Sequence, residues 1–425
     1  MGSTFKNSKN YLMIFIIFFF LFGMKTPLGS LAQILTAVIV AAGIVVYGKY
    51  LVKADKLFFF LMAFLIYDYL VCLTWVVMAG TYDFKLLITK TNLIISVVAT
   101  YILSIYFFRN YTKKQFFVFL SIVFLIQSLI VVLMLLNSDI ANFITTYTKD
   151  ENVVERMMGA YSGARGLGIA DSGAFGFSIV MALFLLLTFA SYKKGYINGR
   201  YFFIVISLGL VASISAGRVA MLGMFMGLFL WTLYFKKIKI LRLATLTLCG
   251  FVLLFSFLIS LRHTVIEHQA LATFYNYSME PIFNYIDYGE FSSSSTDHLE
   301  TMYFPLTEKQ WLLGDAKYMN GIYYYMNTDA GYMRFALFYG AINSFIYYLF
   351  FIIFSAYACK KINNLDEKII IVLMVLLSFL LHYKAEVILL AIAYNKLLLL
   401  VVFFLYAKSI SAKQRESTFS IRYDH

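Results

Sequence analysis

Apolar runs of about twenty residues alternate with short polar stretches along most of this chain, the length a helix needs to cross a bilayer core. The pattern predicts spans at 11–24, 29–48, 57–80, 91–108, 116–136, 173–191, 201–216, 219–235, 243–261, 334–357, 369–383 and 387–407. Barrels need alternating segments of about ten residues, which are missing. The expected fold is therefore an all-α polytopic integral membrane protein of about 12 transmembrane helices, one membrane domain over 1–425. The first run follows Lys6 and Lys9 and could end at a cleavage site, Ser30-Leu31-Ala32. The regular array favours a retained span.

Two polar stretches are too long to be simple connections. Residues 137–172 form the first and residues 263–333 the second. The second mixes Asp, Glu, Asn, Ser and His with many Tyr and Phe. Loops this long are usually functional or disordered, and this one is too aromatic for a disordered tether. It is expected to shape a site that the spans hold at one membrane face. No internal repeat marks a carrier, and Pro27, Pro281 and Pro305 all lie outside the spans.

Composition agrees with the pattern. The 425 residues are 62% hydrophobic and only 13% charged, with a mean hydropathy of +0.80, far from the balance of soluble domains. Cys72, Cys249 and Cys359 have neither disulfide nor metal spacing. The net charge of +13 invites a nucleic-acid reading, but its placement explains it otherwise. Most Lys and Arg fall in alternate short loops, which makes those loops, and both termini, cytoplasmic. The segments 137–172 and 263–333 are then extracytoplasmic.

Against that bias, several arginines stand at outer helix ends, where a guanidinium can fork onto phosphate. Arg165 lies in SGARGLGIADSG, Arg218 closes the SISAGR turn beside Gly217, and Arg262 and Arg334 bracket the long segment. The alternative for each is snorkelling to headgroups. Asp329, in NTDAGYMR, reads either as the N-cap of the next helix or as a general base. Asp297-His298 is a second acid/base candidate, though a histidine in a polar loop is usually just solvated. Tyrosines such as Tyr277, Tyr303, Tyr318 and Tyr324 could stack on sugar rings or form an interfacial belt. Asp68 and Lys396 fall inside spans and need partners, for which they could serve each other. His382, Lys384 and Glu386 crowd one outer turn. No HExxH, clustered Cys/His, P-loop or Rossmann fingerprint appears, so neither a metal nor a cofactor is expected. An outer-face transfer would then need a pre-activated substrate, such as a lipid diphosphate.

Taken together, the ARGLG…SGAFG approach, the SISAGR turn and LLGDAKYMNG followed by TDAGYMRFALFYG make the chain resemble the O-antigen polymerase family (the Wzy type). It is similar, more distantly, to the O-antigen ligases. The resemblance covers the middle and C-terminal two-thirds. It implies a GT-C-like, metal-independent glycosyltransferase in the bacterial inner membrane. Such an enzyme joins undecaprenyl-diphosphate-linked repeat units at the periplasmic face, among membrane lipid and beside a chain-length regulator protein. It further implies that Arg165 and Arg218 hold the diphosphate and that Asp329, in TDAGY, sits near the acceptor sugar; with the reading of the residues above, Arg218 and Asp329 are the catalytic candidates, and Arg165, Arg334, Arg262 and His298 the substrate-binding ones. Ligases tend to carry a His-Asn pair where Asp329-Ala330 stands here. The rival expectations are a ligase, a flippase or other transporter drawing on Asp68 and Lys396, and a non-catalytic scaffold.

Overall fold

The computed structural model describes residues 8–52, 55–151, 154–155, 164–171, 174–233, 269–321 and 323–423. The described chain is about 80% helical. Helix α1 (Ser8–Phe22) leads through a short hairpin, β1 (Lys25–Thr26) and β2 (Gly29–Ser30), into α2 (Leu31–Val52), α3 (Lys56–Met78), α4 (Lys85–Asn110) and α5 (Lys113–Leu136). A short helix α6 (Ser138–Thr148) precedes α7 (Ala174–Lys193) and α8 (Gly199–Ala216). A 3-10 turn, Arg218–Ala220, opens α9 (Met221–Thr232). Later come α10 (Gln269–Tyr288), α11 (Ser294–Thr301), α12 (Glu308–Leu313) and a hairpin of β3 (Met319–Asn320) with β4 (Tyr323–Tyr324). The chain closes with α13 (Gly331–Lys361), α14 (Leu365–His382) and α15 (Ile392–Tyr423).

Among the described residues, eight helices are long and apolar enough to cross a membrane, and Ser8–Phe22 and Arg218–Thr232 are shorter apolar helices. The protein is thus an all-α membrane protein. The apolar run expected at 243–261 lies outside the described residues. Helix α7 is the axis of the bundle. It touches α5, α8, α9, α14 and α15, and 83% of its apolar stretch is buried against 17% for α2. A helix apolar all round belongs inside a bundle, and α7 has no polar face to offer.

Local chemistry sets the helix starts. Thr112 and Gln115 form a capping box on α5, and Asn364 accepts from the Glu367 amide at the start of α14. The carboxylates of that first turn suit the positive end of the helix dipole and gather lysines from α5 and α7. Lys113 meets Glu367 at 2.6 Å, and Lys193 meets Asp366 at 3.2 Å.

Two expectations about the spans need correction. Asp68 does not pair with Lys396. It pairs with Lys90, which the pattern places in a short outer loop but which is buried on α4, and it accepts from the Tyr339 hydroxyl at 3.1 Å. Lys396 instead donates to the Phe20 carbonyl (3.0 Å) and the Thr36 hydroxyl (2.9 Å). The expected unbroken span at 334–357 is also interrupted, at Gly340, whose φ of 74° and ψ of 169° leave the helix. Only glycine accepts that backbone, and a Cβ there would stand 2.3 Å from the Leu312 carbonyl oxygen. The break leaves helix carbonyls in need of donors. Asp315 and Ala316 supply them, their amides bonding the Leu337 (2.6 Å) and Phe338 (3.2 Å) carbonyls. In this way the long polar segment is pinned to the membrane bundle.

Candidate functional site

The 269–333 stretch is folded rather than loose. Capping boxes Ser293/Thr296 and Thr307/Gln310 start its two small helices, and the Tyr303 hydroxyl bonds the Tyr383 carbonyl at 2.6 Å. This layer packs on one end of the bundle and borders a partly open cavity of about 570 Å³. Arg165, Arg218, Arg334, Lys384, Asp329 and Glu386 carry its charge, and His298, Ser295, Tyr277 and Tyr324 also line it. Five of the six residues proposed from sequence therefore meet around one space. The sixth, Arg262, lies outside the described residues.

Arg165 and Arg218 arrive from two separate segments that the backbone ties together. The Gly166 amide reaches the Ser215 carbonyl (3.4 Å) and the Ser215 hydroxyl donates to the Ala164 carbonyl (2.9 Å). Gly217 then lies against Ser178 of α7, whose Cβ and Oγ would both stand 3.2 Å from an added methyl. Both guanidiniums stack on the Tyr277 ring, at 4.5 Å for Arg165 and 4.3 Å for Arg218. The negative face of a phenol ring lets two cations stand close together. Arg218 also meets Glu280 at 2.8 Å, and donates to the Tyr277 carbonyl (3.2 Å) and the Ser295 hydroxyl (3.0 Å). Burial works against the charge on Glu280. The Ser294 amide and Arg218 outweigh it and hold the carboxyl below its ordinary range.

Arg334 is the most enclosed arginine of the set. It is sandwiched between the rings of Tyr318 (3.9 Å) and Tyr324 (3.8 Å), meets Glu386 at 3.2 Å and donates to the Tyr318 carbonyl at 3.3 Å. Tyr318 completes the cluster by donating its hydroxyl to Glu386 at 2.7 Å. Burial raises the Glu386 carboxyl above its usual range, although Arg334 and the Tyr318 hydroxyl oppose it.

Asp329 does not cap the helix that follows it. Ala330 holds the N-cap position of α13 without any side-chain bond, and Thr328 accepts from the Ala330 amide at 3.3 Å. The Asp329 carboxyl lines the cavity instead. Burial pushes it above the ordinary Asp range, partly offset by Lys384, then Arg334, then His298. Lys384 shows the converse: burial, then Arg165 and Arg218, lower it, with Asp329 opposing. The site thus concentrates cations faster than acids, a setting that attracts an anion.

His382 belongs to the scaffold. It is fully buried, its Nδ1 accepts the amides of Val387 (3.0 Å) and Ile388 (3.2 Å), and its Nε2 is left to donate to the Tyr348 hydroxyl at 3.0 Å. Asp297 is exposed in the first turn of α11 and is not part of the cavity lining. Glu280 and Ser295 escaped the sequence reading, because short polar side chains in a polar stretch carry no periodic signal. Among the described residues, no cluster of three His, Cys, Asp or Glu is placed to hold a metal.

Fold and site together define an all-α membrane protein with a cationic cavity bordered by a folded polar layer at one end of its bundle. No family model, curated protein or solved structure matches the chain.

Proposed function

We propose that this chain is a membrane glycosyltransferase of the O-antigen polymerase type, joining undecaprenyl-diphosphate-linked repeat units. The observation that carries the reading is the convergence of Arg165, Arg218 and Lys384 with Asp329 on one cavity. The cations are suited to a diphosphate leaving group, and a carboxyl raised by burial is suited to accept a proton. In the reaction, the acceptor hydroxyl attacks the anomeric carbon of the donor glycan as its proton passes to Asp329. The bond from that carbon to phosphate oxygen breaks, and undecaprenyl diphosphate leaves toward Arg165 and Arg218. Arg334, clasped by Glu386 and two tyrosines, acts as a positioning residue. The proposal includes twelve spans with both termini cytoplasmic, the cavity at the periplasmic face of the bacterial inner membrane, and a chain-length regulator as partner.

The transporter reading drew on Asp68 and Lys396, which in the bundle are engaged separately, Asp68 by Lys90 and the Tyr339 hydroxyl and Lys396 by the Phe20 carbonyl and Thr36. The test is a gel of surface lipopolysaccharide from a host with this gene deleted. Core bearing a single repeat unit is the expected result. Core without any repeat overturns the proposal and points to flippase or ligase, and lipid-linked polymer accumulating beside it singles out the ligase.

A further inference from the structure

A second and larger cavity, of about 900 Å³, adjoins the first. Gly176, early in α7, and Ala391, just before α15, line both spaces, so the two meet there. The second opens among the end of α1, the β1–β2 hairpin, α2, α4 and the start of α15. Its size suits a ligand, as does that of the first.

The two cavities differ in electrical character. Among the described residues, the first is lined by Arg165, Arg218, Arg334 and Lys384 against Asp329 and Glu386, an excess of two cations. The second balances Lys25 and Lys396 against Asp150 and Asp171. Those charges are already engaged by the protein. Lys25 pairs with Asp150 at 3.1 Å, Asp171 accepts from the Ser30 hydroxyl, and Lys396 is held by the Phe20 carbonyl and Thr36. The rest of the lining is mostly apolar, with Leu21, Phe22, Ile95, Leu390 and Ile392 among it, and its neutral polar side chains include Gln33 on α2, with Thr89, Asn92 and Ser96 on α4. Amides and hydroxyls both donate and accept, which matches sugar hydroxyls. A phosphate only accepts, and is better served by the guanidiniums next door.

We infer that the second cavity is a glycan subsite. It holds uncharged, hydroxyl-rich sugar residues of a substrate whose diphosphate lies in the first cavity, with the glycan passing between Gly176 and Ala391. The inference rests on the reading of the Arg218 cavity as a diphosphate site, and it divides the recognition of one substrate between two chemically distinct spaces.

The test uses the full chain in nanodiscs and two probes: undecaprenyl diphosphate, and the same lipid carrying the host's repeat unit. Gln33→Leu and Asn92→Leu each remove an amide that can bond a hydroxyl, and each is expected to weaken the glycan-bearing probe by up to about tenfold. Both should leave the bare lipid unchanged. Ala37→Trp adds bulk on an exposed position lining the cavity, where folding has little to lose, and should give the same split. Equal weakening of both probes overturns the inference, because the cavity then takes lipid or phosphate. Unchanged binding of both probes in all three variants overturns it as well. Wild-type protein that binds neither probe overturns the diphosphate reading itself, and the inference with it.

Discussion

Replacing Arg218 by Lys separates the work of its guanidinium from the work of its charge. Lysine keeps one positive charge near Glu280, but it cannot fork onto the Tyr277 carbonyl and Ser295 together, nor set a planar guanidinium over the Tyr277 ring, where that of Arg218 lies 4.3 Å from the centroid. If the guanidinium stabilises a departing diphosphate, the loss resembles that of one preorganised donor, about 2.7–4 kcal/mol or a 10²–10³-fold fall in rate. The competing account is that Arg218 only staples the 3-10 turn to α10. The Glu280 partner tests that account. The two side chains are 16% and 24% exposed, so their ion pair contributes on the order of 1 kcal/mol or less, and its loss costs about fivefold at most. Glu280→Gln removes the ion-pair part of that staple and leaves the guanidinium in place. The assay is polymer formation in reconstituted membranes with synthetic lipid-linked repeat unit, normalised to folded protein by size exclusion. Arg218→Lys should fall by at least a hundredfold while Glu280→Gln stays within tenfold of wild type. Equal losses in the two variants would refute a direct role for the guanidinium.

Asp329→Asn should abolish most turnover while leaving abundance unchanged, because the side chain makes no cap bond to α13; a matching fall in folded protein would make its role structural. Since burial raises the Asp329 carboxyl, it becomes a proton acceptor only above the ordinary Asp range. The acid limb of the pH–rate profile should accordingly turn down at a higher pH than a solvated Asp would give, and the variant's residual rate should lack that limb. Asp68→Asn alone leaves Lys90 as an uncompensated buried charge and should cost about 3–5 kcal/mol of stability, whereas Asp68→Asn with Lys90→Met should recover much of it in detergent melting curves. Gly340→Ala forces a side chain into a backbone region reserved for glycine and onto the Leu312 carbonyl, so strain alone costs about 1–3 kcal/mol; a melting temperature equal to wild type would show that the break is not needed.

The class of this protein is written into its sequence because membrane insertion reads local quantities. Twenty apolar residues in a row predict a span whatever lies elsewhere, and among the described residues eight helices have the length and apolarity to cross a membrane, against the twelve spans expected. Arg165 and Arg218 also stand out locally, each beside a glycine on the side where a cation is unexpected, Arg165 in the approach to α7 and Arg218 at the end of α8. Partnership is a different matter. Asp68 and Lys396 are both charges inside apolar runs, and spacing along the chain cannot say that Lys90, not Lys396, sits one helix away. Gly340 likewise looks like any glycine in an apolar run, until the carbonyls it releases are seen to hold Asp315 and Ala316.

What the sequence determined by itself was the helical membrane class, the position of most spans and the identity of residues worth suspecting, since each depends on a window of a few residues to a few tens. Only the tertiary structure decided that Arg165, Arg218, Arg334, His298 and Asp329 face one cavity, that Asp329 is not a cap, and that a second cavity with balanced charges adjoins the cationic one. These are matters of long-range contact. They are set by how α7, α13 and the folded polar layer pack against each other, and no periodicity along a single chain encodes the distance between two of its segments.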